Sequence, residues 1–258
     1  MSISTRPSFV SAPGTFAAFR YRNYRLWFIG QLVSRIGTWM QAVAQGYLLY
    51  TLTGSVAYLG YVGFISGLPT WLLMIYGGLI ADRVPRRTLL VITQSVKMML
   101  AFILGGLVFL EWVQPWHILV LALLLGVANA FETPARKSIV VDLVKREDMT
   151  NAITLSDAMY YMSVVIGPAV GAVVYSLIGP SWCFFLNGVS FIAIITALLM
   201  MQIQSTPVLS KRDSVFSALA EGFRYVRGNR LVQTLTTSEF LLTIIGYGPL
   251  ILLPAWAM

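Results

Sequence analysis

Between two long apolar stretches the chain places Gly78-Leu79-Ile80-Ala81-Asp82-Arg83-Val84-Pro85-Arg86-Arg87. One carboxylate and three guanidiniums so close together can make and break ion pairs. Charges are costly in hydrocarbon, so this loop belongs at a membrane surface. A different chemistry needs carboxyls inside apolar stretches, where they can hold and release protons. Glu132, Asp157 and Glu239 are the acids in such positions, and Arg35 and Lys97 are the embedded cations.

The elements that must hold these residues are helices. The chain is 57% hydrophobic and 11% charged, against roughly 25% charged in a soluble domain. A fold of this size has too little interior to hide that much apolar surface. A spanning helix takes about 20 mostly apolar residues. Six stretches qualify: Tyr24–Tyr50, Ala57–Ala81, Thr88–Leu110, Trp116–Val141, Ala152–Leu177 and Ser181–Met201. The fold class is therefore all-α, a polytopic transmembrane helix bundle. Residues 1–23 form a polar, basic N-terminal segment, and residues 24–201 a six-helix transmembrane half. Residues 202–230 are a hydrophilic connecting loop with an amphipathic helix, in which Val215, Phe216, Leu219, Phe223 and Val226 recur at helical spacing. Residues 231–258 make a seventh span, interrupted by Gly246, Gly248, Pro249 and Pro254, that carries Glu239.

The basic residues orient the bundle. With the N-terminus cytoplasmic, 16 of the 18 Lys and Arg residues fall on inner segments, and only Arg35 and Lys97 lie within spans. Such a bias follows the positive-inside rule and implies a multi-pass plasma-membrane protein. The net charge of +8 is spent on topology, so no nucleic-acid partner is expected. No cleavable signal is expected at the N-terminus, since residues 1–24 are polar and basic and lack an apolar core. Cys183 stands alone and His117 opens an apolar span as an interfacial residue, so no metal or cofactor is expected. Nor is there a phosphate-binding G-x-x-x-x-G-K-[ST] loop or a nucleophile–base constellation, and the chain does not read as an enzyme.

Several side chains admit two readings. In the first span Gln31, Ser34, Arg35, Thr38, Gln41 and Gln45 share one helical face, which is expected to line an internal cavity. Arg35 can instead pair with an acid or snorkel to the surface, and snorkelling is the preferred reading for Lys97. Glu132 and Arg136 stand four apart and can pair locally, or Glu132 can carry a proton. Asp157 can neutralise Arg35 or Lys97. Trp27, Trp71, Trp112, Trp116 and Trp182 are placed near span ends as interfacial anchors. Tyr47, Phe64 and Phe131 are candidates for a cavity wall.

The loop at Gly78, Asp82, Arg83, Arg86 and Arg87 resembles the G-x-x-x-D-R-x-G-R-R motif of major facilitator superfamily transporters, with Pro85 where the usual Gly stands. Gly167-Pro168-Ala169-Val170-Gly171 is similar to the G-P-x-x-G core that marks the drug/proton antiporter branch. Ser34–Gln41, Leu52–Ser55, Pro134-Ala135 and Leu143-Val144 look like the enterobactin-exporter and macrolide-efflux branch. The resemblance implies an N-terminal six-helix half plus a seventh helix, the start of a twelve-helix fold. It implies a conformational latch at Gly78, Asp82, Arg83, Arg86 and Arg87, with Asp142 on the fourth span as a partner. It also implies an antiporter-type bend at Gly167, Pro168 and Gly171. Arg35, Gln41, Gln45, Glu132, Asp157 and Glu239 are the candidates for cavity lining or proton coupling. Branch members often carry an acid where Thr38 stands. The implied activity is proton-coupled export of small amphiphilic molecules, drug- or siderophore-like, by alternating access. Its partners are the small-molecule substrate, protons and the lipid bilayer, and a C-terminal half is needed for a complete pathway. An uncoupled uniporter or importer remains open, as does a truncated, non-transporting membrane protein.

Overall fold

A computed structural model describes residues 14–202, together with 224, 227–235, 237, 238, 241 and 242. A 3-10 turn (Ala17–Arg20) leads into six helices. These are α1 (Arg22–Thr53), α2 (Val56–Arg83), α3 (Arg86–Phe109), α4 (Pro115–Leu143), α5 (Met149–Ile178) and α6 (Pro180–Met200), with a 3-10 turn, Arg146–Asp148, before α5. The fold is an all-α bundle of polytopic character. Five of the helices, α2 to α6, contain segments long and apolar enough to cross a membrane. The 32 residues of α1 would reach about 48 Å, beyond the roughly 30 Å of a bilayer core, but its polar face dilutes its hydropathy. The proposed amphipathic segment and most of the seventh span, Glu239 included, lie outside the described residues.

Glycine and proline mark the joints. Gly54 ends α1 in the left-handed region at φ 63°, its N–H bonding to the Tyr50 carbonyl, a conformation that costs little without a Cβ. Pro115 and Pro180 open α4 and α6 at the first helical position, where the missing N–H is no loss. Gln114 and His117 form a reciprocal cap at the start of α4, the Gln114 N–H donating to His117 Nδ1 at 2.9 Å.

In the bundle α1 packs against α5 and α6, α3 against α4 and α6, and α2 against α4. The pattern survives exchange of α1–α3 for α4–α6 in order: the α2–α4 contact maps onto α5–α1, and α1–α6 onto α4–α3. The six-helix bundle is thus built from two three-helix repeats. Close approach at the seams depends on glycine. A Cβ at Gly126 would run into the Ser66 carbonyl, and one at Gly77 into the Ala130 carbonyl, where α2 crosses α4. Gly167 faces the Trp39 Cβ and the Ile36 carbonyl, and Gly171 the Met40 carbonyl, where α5 crosses α1.

Two apolar clusters fill the interior. One gathers Tyr24, Trp27, Leu89, Ile139, Ala152, Phe191 and Met201 at the end that carries the basic loops. The other gathers Met40, Leu49, Leu104, Ile118, Phe184 and the single thiol, Cys183, toward the opposite end. Polar side chains lie in the interior as well: Gln31, Ser34, Gln41, Gln94, Lys97, Glu132, Asn187 and Ser190 are all buried.

Candidate substrate cavity and basic-end clasps

A cavity of about 520 Å³ opens in this interior. Its wall takes Thr38, Gln41, Gln45 and Tyr47 from α1, Ser66 from α2, Lys97 from α3, Pro168 from α5 and Asn187 from α6. The rest of the lining is mostly aliphatic, with Leu59, Val62, Leu100, Leu104 and Leu121. The polar face of α1 therefore does line a cavity at Thr38, Gln41 and Gln45. Asn187 Nδ2 donates to Gln41 Oε1 at 2.6 Å, and Ser190 Oγ donates to the Asn187 carbonyl at 2.7 Å. Gly37 makes room for this network, since a Cβ there would meet Ser190 Oγ. Tyr47 belongs to the wall, whereas Phe64 is exposed and Phe131 packs into the basic-end cluster.

Lys97 does not snorkel. It is 7% exposed and its Nζ donates to Glu132 Oε2 at 2.7 Å. The reason is geometric: α3 and α4 are neighbours, and both residues lie eleven positions from the basic ends of their helices, about 16 Å along the axis. At that depth a facing carboxylate is nearer than water. Lys97 Nζ also stands 5.5 Å from the Phe191 ring centroid. Arg136 Nε lies 3.4 Å from Glu132 Oε1, the expected local pair, although that N–H donates no hydrogen bond among the described residues. Arg35, off the cavity wall, lies 5.1 Å from the Tyr160 ring centroid. Asp157 is exposed on α5, and the acid that neutralises Lys97 is Glu132 instead.

At the basic end the loop arginines hold helices together within this bundle. Arg86 Nη1 donates to Asp142 Oδ2 at 2.8 Å and to the Ser138 carbonyl at 3.2 Å, clasping α3 to α4. Arg87 Nη2 donates to the Leu199 carbonyl at 2.6 Å, clasping α3 to α6. Asp82 and Arg83 are exposed, and Asp82 makes no ion pair among the described residues. A Cβ at Gly78 would meet nothing within 4 Å, so the glycine that seats α2 on α4 is its neighbour Gly77. Gly167 and Gly171 seat α5 on α1, and Pro168 between them faces the cavity.

One clasp was not foreseen from the sequence. The 3-10 turn at Ala17–Arg20 docks on the start of α5: Asn151 Oδ1 accepts from the Ala18 N–H at 3.0 Å, and its Nδ2 donates to the Thr15 carbonyl at 2.8 Å. Tyr21 donates its hydroxyl to Asp148 Oδ2 at 2.8 Å. That hydrogen bond, with the Asp148 charge, raises the Tyr21 pKa above its usual value. The only sequence signal was two adjacent alanines, Ala17 and Ala18, inside a polar segment; both are buried. This strap also corrects the expectation for Trp27, which is 2% exposed and packs beside Tyr24 instead of anchoring an interface. Trp71 is 74% exposed but lies mid-helix on α2. Trp112, Trp116 and Trp182 are exposed near helix ends opposite the basic loops, as interfacial anchors are.

Residues 13–257 match the model of the transmembrane secretion effector family. The chain belongs to this family, within the major facilitator superfamily. It is 26% identical over 223 residues to the staphyloferrin A transporter of Staphylococcus aureus, covering 85% of this chain and 55% of that protein. It is 25% identical over 162 residues to macrolide efflux protein A of Streptococcus pyogenes, covering 61% and 40%. The multidrug efflux pump Tap of Mycolicibacterium fortuitum is 20% identical over 220 residues, covering 82% and 54%. The chain thus spans about half the length of the curated relatives it matches. All three are named for transport or efflux, in keeping with a membrane transport family and not an enzyme family.

Proposed function

We propose that residues 24–201 form the N-terminal half of a secondary active exporter of small amphiphilic molecules, working by alternating access in the plasma membrane. The observation that carries this reading is the mid-bundle cavity, with its polar α1 wall facing aliphatic side chains. Amphiphile sites have this character: mostly apolar, with a few convergent polar groups. In this reading the N-terminus is cytoplasmic, the Asp82–Arg87 loop is a latch, and Gly167, Pro168 and Gly171 bias the carrier toward export. A C-terminal half completes the pathway, and the relatives named for macrolide and multidrug efflux suggest the size and character of the cargo.

Protons are the proposed driving ion. One observation favours the uncoupled alternative, namely that Glu132 is already engaged by Lys97 and Arg136. Reconstitution of the full-length protein in liposomes separates the two: efflux of an amphiphilic dye is measured with and without an imposed pH gradient. Acceleration by the gradient supports the antiporter, and indifference to it establishes uniport. Absence of transport under both conditions, in folded protein, overturns the transporter reading. Ala42→Trp, which fills the cavity from α1, is expected to abolish efflux while insertion remains normal.

A further inference from the structure

We infer that the cavity selects amphiphilic anions, with Lys97 as the group that recognises a carboxylate; the inference rests on the exporter reading of this cavity and names its substrate class. Lys97 is the one charged side chain in the described lining, at mid-depth, and the other lining residues are neutral or apolar. Replacing a buried ion pair by apolar side chains is often neutral or stabilising, so packing alone does not call for one here. A bilayer-depth cation that faces a cavity calls for a functional account.

The surroundings supply one. Glu132 is shared by two cations, Lys97 at 2.7 Å and Arg136 at 3.4 Å. The trio therefore carries a surplus positive charge. Arg136 Nε is a reserve partner for Glu132, because its N–H is not yet committed to a hydrogen bond among the described residues. An incoming carboxylate can take Lys97 while Arg136 closes on Glu132, and no charge is left bare at any stage. Gln41 and Asn187 provide amides on the same cavity wall, and Leu100 and Leu104 receive the apolar part of the ligand. A cationic amphiphile meets the opposite situation: the nearest acid already has two partners, and Lys97 repels the newcomer.

The test uses full-length protein in phosphatidylcholine nanodiscs and a matched set of fluorescent ligands: dansylglycine (anion), dansylglycinamide (neutral) and dansylethylenediamine (cation). Wild type is expected to bind dansylglycine at least tenfold more tightly than the amide, a difference of about 1.4 kcal/mol, and the cation most weakly. Lys97→Arg should keep this preference. The double variant Lys97→Met/Glu132→Gln removes both members of the buried pair, leaves Arg136, partly exposed and off the cavity wall, as the remaining charge of the trio, and should equalise anion and amide without weakening the amide. Equal binding of all three by wild type, or preference for the cation, overturns the anion assignment and leaves the exporter reading standing. Failure to bind any of them overturns both. An unchanged preference in the folded double variant shows that Lys97 is not the determinant. Repeating the titration with phosphatidylglycerol in the disc identifies the source of the anion. Competition by that lipid keeps the Lys97 anion site but makes a lipid headgroup its occupant, whereas no competition assigns it to soluble carboxylates.

Discussion

Gly167→Ala isolates the close approach of α5 to α1. The added Cβ would collide with the Trp39 Cβ, stand 2.9 Å from the Ile36 carbonyl oxygen and 3.2 Å from the Met40 amide nitrogen. Two of these three atoms are backbone, so no rotamer change relieves them and the helices must separate. Overpacking of this kind costs about 1–3 kcal/mol. Opposing it, Ala is favoured over Gly in a helix by about 0.8–1 kcal/mol. Gly106→Ala supplies the control, because a Cβ there meets nothing within 4 Å and the helical gain comes without the clash. The difference between the two variants therefore reads the collision alone. At about 2–4 °C per kcal/mol for a chain of this size, Gly167→Ala should melt several degrees below Gly106→Ala. Fluorescence-detected thermal unfolding of the two proteins in detergent measures it. Equal midpoints would refute the close-approach argument, and with it the view that the G-P-x-x-G run acts by seating α5 on α1.

Other expectations follow from the ion pairs and the strap. Glu132→Gln alone leaves Lys97 buried without its acid and should cost about 3–5 kcal/mol, whereas adding Lys97→Met to it should recover most of that loss in the same melting assay. Asp142→Asn removes a partly exposed pair with Arg86 worth at most about 1 kcal/mol; it should barely shift the midpoint while slowing efflux, as should Asp82→Asn, and unaltered efflux would reject the latch. Asn151→Ala deletes two hydrogen bonds to the strap, each worth about 1 kcal/mol, and should speed proteolysis near residue 15 without touching the bundle. Tyr21 gives a pH signature. Its folded-state pKa is raised above 10 by Asp148, so the contact stabilises fully below pH 10 and is lost as pH climbs through the raised value. Tyr21→Phe should flatten the pH dependence of strap protection above pH 10.

The helices were legible because hydrophobicity over 20-residue windows and the bias of the arginines are local properties of the chain. The ends of α1 and α2 moved outward, to Arg22–Thr53 and Val56–Arg83, because caps and polar final turns continue helices past their apolar stretch. The Arg136–Glu132 contact was readable from spacing on one helix. The Lys97–Glu132 pair was not: it joins residues 35 apart, and which faces of α3 and α4 meet depends on how the whole bundle packs. Trp27 misled for the same reason. Its place near a helix end suggested an interface, but a strap of buried alanines lies across that end. The polar stripe of α1 did point to the cavity, through Thr38, Gln41 and Gln45, since polar residues at helical spacing cannot all face lipid.

Cys183 is the chain's single cysteine, fully buried, its Sγ 3.8 Å from the Gly171 carbonyl where α6 meets α5. Maleimides and methanethiosulfonates do not reach it while the bundle is closed. Within these 258 residues the native sequence is thus a silent background for site-directed labelling. A thiol introduced at exposed Asp82 or Trp71 can report distance changes by spin or fluorescence probes, without first deleting a native cysteine from the core. The same buried sulfur provides an internal alarm: reaction at Cys183 in any variant signals that α5 and α6 have parted.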